Sequence, residues 1–259
     1  MKGHGLTWMT DWLQGLGQVT LLAWDVMRSL FSQRLTGRDL LYQLYFIGVK
    51  SQSVVLITGA FTGMVLAAQT YFQFHRVRMD TATLAVVSIS MCSELGPVLT
   101  GLMVAGRVGA ALAAELGTMR VTEQIDALRT LATHPVDYLV VPRVLATLIV
   151  MPLLTTESIA VGIGAAYAIG VNYLEIDPAY SWHWMRYYTE SQDVITGICK
   201  ALIYGVLIGL ISCYKGMTCR EGAEGVGRAT TEAVVFSSIT ILITNFFLTL
   251  ILNNLIQPA

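Results

Sequence analysis

Five stretches of the chain are apolar almost without interruption, at residues 51–74, 82–105, 144–171, 194–214 and 233–256. Each meets the roughly 20 residues that a helix needs to cross a bilayer, and the third is long enough to tilt or to run on beyond it. Residues 6–31 read differently. Met9, Leu13, Leu16, Ala23, Met27 and Leu30 recur largely at steps of three and four, with Asp11, Gln14, Gln18, Asp25 and Arg28 mostly between them. Trp8, Trp12 and Trp24 suit headgroup depth. That period predicts an amphipathic helix lying along the membrane interface, or the same helix packed on a soluble partner. The expected fold is an all-α integral membrane protein, with an interfacial helix in residues 1–40 and a five-helix transmembrane domain over 41–259. No short apolar core with a small-residue cleavage site opens the chain, so insertion is expected to use internal segments.

Orientation follows from the basic residues. With the N-terminus inside, the inner segments hold Lys2, Arg28, Arg34, Arg38 and Lys50, then Arg107, Arg120, Arg129 and Arg143, then Lys215, Arg220 and Arg228. Only Arg76, Arg78, Arg186 and Lys200 of the 16 basic residues remain for the outer half. That asymmetry predicts a cytoplasmic N-terminus and an external C-terminus. The connections are unequal: a short outer turn at 75–81, a long inner segment at 106–143, an aromatic outer segment at 172–193 and an inner loop at 215–232. No internal repeat of 20–50 residues is visible, unlike the inverted-repeat secondary transporters.

Composition agrees with this pattern. Of 259 residues 54% are hydrophobic and 13% charged, with mean hydropathy +0.62. Soluble domains carry about 25% charge, so the chain has too little to cover a water-facing surface. A net charge of −1 excludes a nucleic acid held by bulk electrostatics. Cys92, Cys199, Cys213 and Cys219 form no CxxC pair and are expected as free thiols in apolar packing. His4, His75, His134 and His183 are scattered, without metal-ligand spacing.

Candidate chemistry lies in the inner segment and in the intramembrane charges. Gly106, Gly109, Ala110, Ala113, Ala114 and Gly117 give a small-residue surface for close helix packing. Thr122 then reads as the N-cap of a short helix with acids in its first turn, and Pro135 and Pro142 are expected to end helical runs on either side of Asp137. Such a helix between two spans either closes a loop or receives the push of a soluble motor. Glu94 lies inside the second span, Glu157 inside the third, and Lys200 near the outer end of the fourth. Each must face protein or a wet cavity, because hydrocarbon penalises the charge. Gly96-Pro97 marks a local break beside Glu94, where backbone groups become available. Position alone allows Glu94 to bond a neighbouring helix and Lys200 to snorkel to the outer headgroups. Glu157 is assigned to packing or local hydration. Gly59-x-x-x-Gly63 permits close helix approach, within one protomer or across a dimer.

The run SELGPVLTGLMVAGRVGAALAAELGTMRVTEQIDAL, residues 93–128, resembles the core signature of the MlaE (YrbE) family. GAFTGMVLAAQTY (59–71) and GVGRATTEAVV (225–235) resemble it too, in the expected order, and the resemblance covers roughly residues 40–255. Members are permease subunits of ABC transporters that move phospholipids between bacterial membranes with MCE-domain proteins. The resemblance implies an elbow helix, five membrane helices, a coupling helix within about 115–135, and a homodimer in the cell inner membrane; a plastid inner envelope hosts relatives. Two copies of a cytoplasmic ATPase, binding ATP and Mg, and a hexameric periplasmic MCE protein are the implied partners; a STAS-domain accessory protein is left open. Glu115, Arg120, Glu123, Gln124 and Asp126 are the ATPase-contact candidates. Glu94, Lys200 and Tyr71 are expected to rim a lipid-binding cavity, with Met64, Ala68 and Leu95 near the acyl chains. Ser93 stands where many relatives have arginine, which weakens any fixed Arg–Glu headgroup clamp.

No cofactor is expected in this chain. GVGRATT lacks a Walker lysine and follows no strand, so ATP hydrolysis belongs to a separate chain. A lipid-modifying membrane enzyme would need a clustered nucleophile and base or a metal site, and none is readable. A non-transporting anchor for an MCE protein shares the topology but needs no coupling helix.

Overall fold

The computed structural model describes residues 15, 17–29 and 37–256. Helix α1 covers residues 17–29, followed by α2 (Gly37–His75), α3 (Asp80–Val121), α4 (Gln124–Thr130), α5 (Val136–Asn172), α6 (Pro178–Tyr188), α7 (Ser191–Met217) and α8 (Gly222–Ile256). Five of these, α2, α3, α5, α7 and α8, are long and apolar enough to cross a membrane. The five apolar stretches fall one in each. The aromatic segment holds α6, which Pro178 opens and Asp177 caps by accepting from the backbone of Ala179 and Tyr180. Helix α7 begins with a reciprocal capping box between Glu190 and Asp193.

Glycine brings the spans together. A Cβ on Gly63 would lie 2.0 Å from the Gly162 carbonyl oxygen, and one on Gly59 would lie 2.8 Å from that of Ser158. Only bare backbone fits, so the Gly59-x-x-x-Gly63 pair packs α2 on α5 within one protomer. Helix α7 meets α3 at Gly197, where a Cβ would come 2.2 Å from the Cys92 carbonyl oxygen, and again at Gly216 against Ala113 and Leu116. Of the small-residue surface expected there, Gly109, Ala113 and Gly117 face α7 and α8, whereas Gly106, Ala110 and Ala114 lie on a less buried side of α3.

The bundle has two ends. One carries α1, α4 and the α7–α8 turn; the other carries the α2–α3 turn and α6. Val19, Leu22, Ala23 and Val26 of α1 pack on a cluster that includes Leu116, Ile125 and Leu139. Leu21, Trp24 and Met27 project outward. Ala23 and Met27 thus lie on different sides, because the packed side follows 19, 22, 23 and 26. Trp8, Trp12, Met9, Leu13, Leu16 and Leu30 lie outside the described residues.

Three local expectations are corrected. Helix α3 does not stop at the end of its apolar stretch but runs on to Val121, so Glu115 belongs to the span helix. Thr122 caps no helix start: its hydroxyl donates to the Thr118 carbonyl at the C-terminus of α3, and Glu123 precedes α4 with φ 59°. Pro142 does not end a run. A π-helical turn at Val136–Val140 places it in the first turn of the following α-helix, where no N–H is needed.

Candidate functional site

Pro97 organises the site. It has no N–H to give the Ser93 carbonyl four residues earlier, and a π-helical turn at Met91–Leu95 accommodates it without breaking α3. Lys200 of α7 supplies the donor: its Nζ lies 3.0 Å from the Ser93 oxygen, 2.7 Å from Glu94 Oε1 and 2.8 Å from Thr249 Oγ1. All three ammonium protons are used, and Lys200 has no exposed surface. The Lys200 ammonium therefore does not line a rim; it anchors Glu94 from behind.

Glu94 is the exposed partner, with 37% of its side chain accessible. Asn245 Nδ2 donates to its Oε2 at 3.1 Å, and Tyr204 fixes that amide by donating to Asn245 Oδ1 at 2.7 Å. The Thr249 proton can serve Glu94 Oε1 or the Asn245 carbonyl, both at 2.9 Å. Asn245 is the one donor to Oε2 among the described residues. Behind the turn, Asp193 is buried, with its carboxylate near the Ser93 hydroxyl at 3.4 Å and bonded to the Glu190 N–H. Asn245, Thr249, Tyr204 and Asp193 were not singled out from sequence. A signal for two of them existed: Asn245 and Thr249 are spaced i, i+4 within a span, hence on one face.

Tyr71 stands apart from the pair. Its ring stacks on His75 at 5.3 Å, and His75 bonds Asp80 at 3.1 Å in the α2–α3 turn. Tyr71 and Leu95 pack on one cluster with Ala67, Leu84 and Met91, while Met64 and Ala68 are half-buried one turn apart on α2. From Glu94 onward α3 leaves residues unburied in pairs every four positions: 94/95, 98/99, 102/103, 106/107, 110/111 and 114/115. A regular helix would rotate that repeat by about 40° per turn. The wide turn at Ala105–Gly109 offsets part of this drift and keeps one stripe open along α3.

The opposite end carries the charged candidates. Arg143, buried at the start of α5, bonds the Leu139 carbonyl at 2.8 Å and Glu115 Oε2 at 3.1 Å. Glu115 is 38% exposed and lines a groove of about 430 Å³ with Ala114, Thr118, Met119 and Gln124. Arg120 Nη1 reaches both Asp126 oxygens at 2.7 Å, and Arg129 reaches Oδ1 at 3.2 Å. Glu123 and Gln124 are exposed. An apolar groove of about 320 Å³ lies alongside, lined by Ile125, Leu128, Leu131 and Tyr138 among others. In the α7–α8 turn, Cys219 is shielded, and burial together with the Glu221 charge pushes its thiol pKa up. Glu157 receives Gln52 Nε2 at 3.4 Å on one oxygen; the other is buried without a partner. No group of His, Cys, Asp and Glu among the described residues is placed to hold a metal ion.

Comparison with known proteins accords with this geometry. The family profile described as Permease MlaE matches residues 40–251. A probable ABC transporter permease protein of Rickettsia felis is 47% identical over 91% of each chain. The intermembrane phospholipid transport system permease protein MlaE of Haemophilus influenzae is 36% identical over 93% of each. The chloroplastic protein TRIGALACTOSYLDIACYLGLYCEROL 1 of Arabidopsis thaliana is 37% identical over 89% of this chain and 66% of its own. By the extent of these matches the chain belongs to the MlaE permease family.

Proposed function

We propose that this chain is the membrane-spanning permease subunit of an ABC transporter that moves phospholipids between inner and outer membranes. A separate ATPase drives it. The observation that carries this is Glu94: a half-exposed carboxylate within a spanning helix, held by a fully buried cation, at the head of an apolar stripe. Such a site offers a greasy wall with one polar contact, which suits an amphiphile. Glu94 takes the headgroup side, with Tyr71 at the same end of the bundle and Met64, Ala68 and Leu95 beside the acyl chains. Lys200 belongs to the site by fixing Glu94 rather than by touching lipid.

In this arrangement the α4 end is cytoplasmic, a reading supported by the distribution of basic residues, and the C-terminus is periplasmic. Two permeases form a homodimer around the lipid cavity, and each takes one ATPase copy through α4 and Glu115, Arg120, Glu123, Gln124 and Asp126. The cavity opens toward a hexameric MCE-domain protein, and a STAS-domain protein on the ATPase is compatible with the same arrangement. Reconstitution tests it. The permease, its ATPase and the MCE protein in vesicles are expected to move fluorescent phospholipid on ATP addition, and the permease alone is not. Equal movement without the ATPase would refute the assignment.

A further inference from the structure

The half-exposed stripe of α3 carries a second charge. Arg107 lies 13 residues beyond Glu94, about 20 Å along the helix, with only apolar side chains and Gly106 on the stripe between them. It follows the apolar stretch of α3, and Ser51 opens that of α2, so both stand at the depth where the α4-end leaflet has its phosphates. Arg107 is half-buried, and its single described contact is an Nη1 bond to the Ser51 hydroxyl. No carboxylate among the described residues pairs with it, whereas each other Lys or Arg of the span helices that is not exposed has one: Arg120 with Asp126, Arg143 with Glu115, Lys200 with Glu94 and Lys215 with Glu232. A guanidinium has five donors and is strongly unfavourable when desolvated without an anion. Beside it the wall is open: a Cβ on Gly106 would meet nothing within 4 Å. Lys50, exposed next to Ser51, adds a second positive charge at this end of α2.

We infer that Arg107 is a second headgroup station, binding the phosphate of a phospholipid from the cytoplasmic leaflet. The inference rests on the proposed lipid-transport function and adds to it. The stripe then has an anion-binding end at Arg107 and a carboxylate end at Glu94, with an apolar track between them of about acyl-chain length. Charge complementarity commits the occupant to a phosphate-bearing lipid, since the unmet need at Arg107 is for oxygen acceptors in a planar fork.

Photocrosslinking in the intact permease–ATPase complex tests it. Benzoylphenylalanine is placed at Gly106, whose Cβ position faces open space, and is irradiated in vesicles of phosphatidylethanolamine and phosphatidylglycerol. Mass spectrometry is expected to find the permease carrying a covalent phospholipid. Adding Arg107→Gln is expected to cut that adduct about tenfold, and Arg107→Lys to keep it within about threefold. Adducts only with a second copy of the chain or with the ATPase, no lipid adduct, or a lipid adduct unchanged by Arg107→Gln would each overturn the inference. If Arg107→Gln does not fold, the chain with Arg107 intact is irradiated with equal amounts of phospholipid and a phosphate-free galactolipid; a preference for phospholipid is expected, and equal adducts would overturn the inference. Lipid movement by the wild-type complex is measured in parallel. Movement without the adduct removes only the second station, whereas no ATP-driven movement removes the proposed function.

Discussion

The Glu94–Lys200 pair is unequal, and the inequality sets how its variants must behave. In Glu94→Ala the ammonium stays wholly buried, with only the Ser93 carbonyl and the Thr249 hydroxyl for company. An uncompensated buried charge costs about 3–5 kcal/mol. In Lys200→Met the carboxylate is 37% exposed and keeps its Thr249 and Asn245 contacts, so the main loss is the donor to the Ser93 oxygen, about 1–2 kcal/mol. The Glu94→Ala, Lys200→Met double variant removes both charges and should be more stable than Glu94→Ala alone. Thermal unfolding of the purified permease in one detergent, followed by tryptophan fluorescence, reads the order. Glu94→Ala should melt roughly 10 °C below wild type, with the double variant recovering most of the difference. If Lys200→Met proves as damaging as Glu94→Ala, or the single effects simply add, the ammonium is not held as described. The lipid assay then separates fold from function. Lys200→Met should weaken ATP-driven lipid movement, because Glu94 then keeps only its α8 contacts, and the double variant should lose it, since only the latter lacks the carboxylate. A double variant that transports normally would remove Glu94 from the site.

Three further outcomes follow from single features. Gly63→Ala drives a methyl into the Gly162 carbonyl and should destabilise the permease by about 2 kcal/mol in the same melt, whereas Gly106→Ala, facing open space, should change nothing. Charge reversals Glu123→Lys and Asp126→Lys should each reduce co-purification of the ATPase at least severalfold, and Glu123→Gly, which relaxes the left-handed backbone there but deletes the carboxylate, should raise the melting temperature while weakening capture less than the reversal does; undiminished ATPase capture by both reversals would remove α4 as the contact. Cys219 should react with maleimide more slowly than Cys in a peptide at neutral pH, because its raised pKa lowers the thiolate fraction, and the gap should narrow as the pH is raised toward that pKa; a rate equal to the peptide's would mean that the α7–α8 turn is open.

The spans were legible because hydrocarbon leaves one solution for the backbone, a helix of some 20 apolar residues, and each such stretch announces itself. Glu94 was legible for the converse reason: a charge inside such a stretch needs a partner. What the linear pattern did not reveal is which way the partner faces. Lys200 reads as a snorkelling residue near the end of a span, yet Pro97 on another helix leaves a carbonyl without a donor, and that vacancy draws the ammonium inward. Thr122 failed as a cap for a similar reason. The sequence pattern Thr-Glu-Gln-Ile-Asp marks a helix start only if α3 has already ended, and packing against α7 and α8 carries α3 to Val121. Pro142 reads as the end of a helical run, whereas the wide turn before it lets α5 continue and buries the next side chain, Arg143, against Glu115.

In the proposed transporter, these ties restrict how a stroke delivered to α4 would travel. Two residues, Thr122 and Glu123, separate α4 from α3, and α3 is one continuous helix of 42 residues from there to the opposite end of the bundle. At Gly197 and Gly216 α3 meets α7 with no side chain to shear on the glycine side, and Arg143 bonds its lower half to α5. Helices α3, α5 and α7 therefore have few ways to move except together. Helix α8 differs: in its most apolar stretch only 11% of residues are buried, and its outer half reaches the site through Asn245 and Thr249. Breaking those polar contacts needs no disruption of glycine-lined packing. A change in cavity shape is least costly as a displacement of the outer half of α8 away from Glu94, and that same displacement would uncover the carboxylate which Lys200 holds in place.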